Sequence, residues 1–136
     1  MLLNIGQSEV SLPTQINVSN EVLYLGIKAL AALDRALQQS PSDVTVRAEL
    51  YFSKGNQFRE INQLDRAFQS YKLAVELKPD QSQAWMNMGG IQHIKGDYAA
   101  ARMYYQRALM LSPGSKLLKE NLAKLDRLER KVTGGS

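Results

Sequence analysis

Between residues 48 and 115 the small, aromatic and apolar positions recur with a period of 34 residues. Laying 48–81 over 82–115 pairs Gly55 with Gly89, Ala67 with Ala101, Tyr71 with Tyr105, Ala74 with Ala108, Leu77 with Leu111 and Pro79 with Pro113. These are contact and turn positions, not surface ones. Two helices in each unit must approach closely, so the small residues at 55, 67, 89 and 101 stand where a large aromatic of the neighbouring helix packs. Proline closes each unit because it cannot continue a helix and forces its predecessor out of the helical region. Leu77-Lys78-Pro79 and Leu111-Ser112-Pro113 are therefore helix stops.

A third, incomplete copy precedes these. Ala29, Leu33, Ala36 and Pro41 repeat the spacing of Ala67, Tyr71, Ala74 and Pro79, which is that of a second helix without its first. Pro41 lies one helical turn further from Pro79 than the period requires, and the extra turn is placed at the start of the next helix, with Asp43 as its N-cap. The pattern predicts helices at about 20–39, 44–61, 64–77, 81–95, 98–111 and 116–130. The organisation read from it is a flexible segment 1–18, a degenerate repeat 19–47, repeats 48–81 and 82–115, a capping helix 116–131 and a tail 132–136. Leu118, Leu122 and Leu125 form one stripe of the last helix and charges cover the rest, as a terminal cap needs for solubility. The helix at 20–39 has no partner helix for Val22, Leu23, Ile27 and Leu30, an apolar face open to self-association.

Trp85, Met88, Gly89, Ala101, Tyr105 and Pro113 resemble the tetratricopeptide signature W-x2-L-G…A-x3-F…P, and Tyr51, Gly55, Ala67, Tyr71 and Pro79 repeat most of it. Lys54 at the usual Leu position and Gln92 at the usual Tyr position depart from it. The fold class this implies is an all-α tetratricopeptide-repeat solenoid of about six antiparallel helices.

Composition narrows the chemistry. The chain has 136 residues, is 44% hydrophobic and contains no cysteine, so disulfides, thiolate metal sites and thiol nucleophiles are excluded together. No secretory leader or membrane span is legible in it. The net charge of +4 gathers toward the C-terminal end, where Glu120, Asp126 and Glu129 are interleaved with the basic residues as on a solvated helix face. Nucleic-acid binding there lacks interleaved exposed aromatics. Gly89, Gly90 and Gly96 follow no phosphate-loop spacing, and His93 is the sole histidine, without a second imidazole for a metal. No catalytic residue, metal or cofactor is expected. Asn17-Val18-Ser19 is a glycosylation acceptor pattern that matters only in a lumenal chain.

The inner wall of such a solenoid is lined by the first helix of each repeat, and its residues here are mixed and non-repeating. Phe52, Asn56, Arg59, Met86, Asn87 and His93 project from one face of neighbouring helices and are the candidate contacts for a protein or peptide partner. One tetratricopeptide subclass clamps a C-terminal carboxylate with cations and two amides, and Asn56 and Asn87 resemble its amides. Phe52, Leu117 and Asn121 stand where its cations belong, so a carboxylate would meet no partner charge.

AWMNMGGIQHIKG (84–96) and SKLLKENLAKLDRLER (115–130) also carry a closer likeness. Through them residues 48–131 resemble the C-terminal end of the transmembrane and tetratricopeptide-repeat protein O-mannosyltransferase family. The resemblance implies a repeat region in the endoplasmic reticulum lumen that engages acceptor proteins such as cadherins, attached to a multi-span catalytic portion of which nothing is present here. It carries over no catalytic residue, so this chain alone is expected to transfer no sugar. Apart from the resemblance, the reading would be cytoplasmic.

Overall fold

The computed structural model describes residues 18–39 and 42–134. Among the described residues the regular structure is helical throughout: α1 (Asn20–Gln38), α2 (Val44–Glu60), α3 (Leu64–Leu77), α4 (Ser82–Lys95), α5 (Tyr98–Leu111) and α6 (Lys116–Gly134). The expectations for the segment 1–17, the acceptor Asn17, the stop at Pro41 and the last two residues lie outside this range.

Helix starts follow local chemistry. Ser19 accepts a hydrogen bond from the Val22 amide at 3.1 Å and opens α1. Asp43 takes the Thr45 and Val46 amides at 2.8 and 3.3 Å, which makes it the N-cap expected for the lengthened α2. Asp97 and Ser115 cap α5 and α6 through the Ala100 and Leu118 amides. Helix ends follow the period: α2 and α4 stop before Asn62 (φ 61°) and Gly96 (φ 86°), equivalent positions in successive repeats that both take the left-handed conformation. The next position in that register is Arg130, which adopts it poorly, and α6 runs on to Gly134. Residues 132–134 therefore belong to the helix and not to the tail assigned from sequence.

The extensive contacts run between consecutive helices, with α2–α3 and α4–α5 forming the tightest pairs and α3–α4 and α5–α6 joining them. Tightness comes from glycine. A Cβ on Gly55 would lie 2.6 Å from the Tyr71 ring, and one on Gly89 would lie 2.6 Å from the Tyr105 ring, so each tyrosine occupies the volume that a side chain would need. Ala67, Tyr71, Val75, Ala84, Met88 and Ile91 make one core, flanked by Phe52, Phe58, Phe68, Trp85 and Tyr104. Ala101, Tyr105, Ala108, Leu118 and Leu125 make the second, which seats the capping helix.

Ion pairs link neighbouring helices at the rim. Lys54 reaches Asp34 of α1 at 2.8 Å, which accounts for a lysine where the repeat signature has leucine. Lys95 pairs with Asp65, tying α4 to α3. Asp126, at 2.7 Å, and Glu129 converge on Arg102 of α5. These two carboxylates, read from sequence as merely solvated, anchor the cap.

Candidate functional site

The inner helices α2, α4 and α6 enclose a groove of about 500 Å³. Arg59 and Glu60 stand at its α2 end, Met86, Asn87 and Ile94 come from α4, and Asn121 from α6. Apolar Met86, Leu64, Ile91 and Ile94 sit beside the amides and charges, so the surface offers both van der Waals contact and hydrogen bonds to an incoming chain.

Of the six contacts expected from sequence, the structure brings Arg59, Met86 and Asn87 into this groove. Asn56 lines an adjoining cleft between α1 and α2 together with Arg59. Phe52 packs against the core, its ring centroid 5.7 Å from that of Tyr71. His93 lies at the α4–α5 joint, with Nδ1 3.1 Å from the Tyr105 hydroxyl and its ring edge-on to Tyr98 and Tyr105.

The two asparagines have work inside the fold. The buried Tyr71 hydroxyl donates to Asn56 Oδ1 at 2.6 Å, and the side chains of Asn87 and Arg59 stand near enough to act on it electrostatically. Asn87 is 9% exposed and accepts from Gln83 Nε2 at 3.3 Å. The phenol is thus held by an amide from the first helix of its own repeat. In the next repeat the residue equivalent to Asn56 is Gly90, which offers Tyr105 no side chain, and the residue equivalent to Arg59 is His93, which meets its hydroxyl instead. Burial raises the pKa of Tyr71 and Tyr105. Burial, with help from the Lys124 charge, lowers that of His93.

Leu64, Asn62, Tyr105 and Asn121 line the groove without having been singled out as contacts. The Asn121 side chain is half-buried, and no hydrogen bond to it is seen among the described residues. Its signal was in the chain: it follows Asn87 by one 34-residue period and so occupies the same inner position on the next helix. Among the described residues no group of His, Asp or Glu is arranged to hold a metal ion, and no helix is long and apolar enough to cross a membrane.

The family model for the tetratricopeptide repeat matches residues 48–81 and 82–115, the two units whose helices build the groove. The chain belongs to the tetratricopeptide-repeat family. The chain is similar to Protein O-mannosyl-transferase TMTC1 of Homo sapiens, 69% identical over 105 residues that make up 77% of this chain and 12% of the relative. The Mus musculus protein of the same name is 67% identical over 105 residues, which are 11% of its length. The likeness to the O-mannosyltransferase family read from the sequence thus holds over most of the chain, while the chain spans only about an eighth of these relatives. Among solved structures, the Sgt2 TPR domain from Aspergillus fumigatus superposes with a TM-score of 0.66 over 88% of this chain and 87% of that one, at 18% identity. The first TPR of Spaghetti (RPAP3), bound to the HSP90 peptide SRMEEVD, gives 0.62 over 84% of this chain and 98% of that one, at 19% identity. At such identities the likeness is one of fold.

Proposed function

We infer that the repeats form a protein-interaction module whose inner groove takes an extended segment of a partner protein. The observation that carries this is the groove itself, with apolar Met86, Ile91 and Ile94 flanked by Arg59, Glu60 and the uncommitted amide of Asn121. An amide side chain both donates and accepts, which suits it to a peptide bond of an extended chain. Phe52 is turned into the core and Leu117 is exposed where a clamping cation would be needed, so the groove reads an internal segment as well as a free C-terminus. The similarity to protein O-mannosyl-transferases suggests that the segment belongs to an acceptor protein such as a cadherin, met in the lumen of the endoplasmic reticulum. In this reading the chain recruits the acceptor and transfer chemistry lies elsewhere in a longer protein.

Fluorescence anisotropy with labelled acceptor peptides tests it. Asn121→Ala is expected to weaken binding about 5- to 150-fold, the equivalent of roughly 1–3 kcal/mol for leaving a desolvated peptide group without its hydrogen bond. The melt should not fall, because no hydrogen bond to the Asn121 side chain is seen in the fold and alanine is the better helix former. Met86→Glu should abolish binding, and amidation of the peptide's C-terminus should leave it unaltered. Unchanged affinity in both variants would move the site to another surface, and mannosylation of an acceptor by the purified chain would overturn the assignment of chemistry.

A further inference from the structure

The outer side of α6 carries a second surface. Leu118 and Leu125, buried with Ala101, Tyr105 and Ala108 of α5, fix which side of the helix meets the core. Opposite them lie Lys116, Lys119, Lys124, Arg127, Arg130 and Lys131, all exposed. At 3.6 residues per turn these cations fall within about 140° of arc and run about 22 Å along the axis. Between Lys116 and Lys131 that arc holds one carboxylate, Glu120, and one apolar side chain, Ala123.

The fold undoes the interleaving of charges seen along the sequence. Asp126 and Glu129 reach Arg102 of α5, so the outer face is left to the cations. No ion pair to any of the six is seen among the described residues. A helix that only has to stay soluble needs polarity on this side and not a single sign. Arg127 has Lys124, Arg130 and Lys131 three or four residues away, spacings at which like charges repel and destabilise a helix. Nor does the face suit a further helix, which would call for small residues such as Ala67, Ala74, Ala101 and Ala108 on α3 and α5.

The shape of the face favours one kind of partner. It is a convex ridge without an amide or an aromatic side chain, so a peptide backbone or a base finds nothing to register against. A fluid sheet of anionic headgroups needs no register, because the lipids move to meet each cation. With no large apolar residue on the arc, the contact is electrostatic and stays at the level of the headgroups. Asn121, on the groove side of α6, lies about a third of a turn from the middle of the arc, so a chain seated on this face keeps its groove open.

We propose that the outer face of α6 docks the chain on a membrane surface rich in acidic phospholipids. The full chain should co-sediment with vesicles of phosphatidylcholine and phosphatidylserine but not with phosphatidylcholine alone, and should be released as ionic strength rises. At about fivefold for each cation removed from the surface, Lys119→Glu with Arg127→Glu should weaken binding roughly 25-fold or more, with the helical circular dichroism retained. Lys28→Glu with Arg35→Glu, the same change of charge at exposed positions of α1, should leave binding near that of the parent chain. Equal losses from the two pairs would assign binding to net charge and overturn the proposal. Equal binding to neutral vesicles would overturn it as well. Capture of polyglutamate without retention on phosphatidylserine vesicles would do the same and give the face to an acidic protein segment. No peptide ligand enters these assays, so this face and the groove can fail separately.

Discussion

At the scale of single residues the repeat is a negotiation over tyrosine. Gly89 and Gly90 are neighbours in α4 with opposite roles. A Cβ at 89 would meet the Tyr105 ring at 2.6 Å and the Ala101 carbonyl oxygen at 3.2 Å, whereas a Cβ at 90 finds only the Tyr105 hydroxyl at 3.8 Å. Gly89→Ala is therefore expected to destabilise by roughly 1–3 kcal/mol through overpacking. Gly90→Ala should stabilise by about 0.5–1 kcal/mol, the usual gain of alanine over glycine inside a helix. Denaturant melts of the two variants should shift in opposite directions; a common shift would mean that helix propensity, and not the tyrosine packing, governs both sites. Gly89 was legible because it recurs at Gly55, and small facing large needs no coordinates. The tasks of Asn56, Asn87 and His93 were not legible. From spacing alone they belonged to the inner wall, and only the position of each phenol shows that the fold already engages them.

At the scale of elements, helix boundaries came from capping chemistry and the period together. Asp43 was visible as an N-cap because a proline stop and an extra turn isolate it, and its carboxylate does hold two amides. Asp43→Ala should cost about 1 kcal/mol in a thermal or denaturant melt, within the usual range of roughly 0.5–2 kcal/mol for an N-cap. No loss would mean that packing of α2 against α3 alone fixes where the helix begins. The one misplaced boundary, at α6, has the same kind of cause. A tail was read from residue 132, but a helix stops where a residue accepts the left-handed conformation, and Arg130 does not offer what Asn62 and Gly96 do. Asp126 and Glu129 show a related limit, since their pairing with Arg102 spans two helices whose crossing no periodicity displays.

For the molecule as a whole, stability is expected to form a plateau bounded by two kinds of ring. The His93 pKa is lowered in the folded state, so the unfolded chain takes up a proton first, and stability is lost as pH falls below the usual imidazole value of about 6.5. The phenol pKa values of Tyr71 and Tyr105 are raised, so the unfolded chain releases protons first, and stability is lost as pH climbs past about 10. Melting temperature measured against pH should show both limbs, and His93→Gln should flatten the acid limb where it begins, below about pH 6.5. An unaltered acid limb would assign it to the carboxylates instead. The Tyr71 hydroxyl also reaches beyond stability. Because it is bonded to Asn56, the spacing of α2 and α3 is fixed at one point by a hydrogen bond as well as by packing. In the groove, Asn87 is likewise nearly buried and bonded to Gln83 before any chain enters. The ordering entropy that association ordinarily costs is smaller there, and discrimination between ligands falls to how well each fits a fixed template.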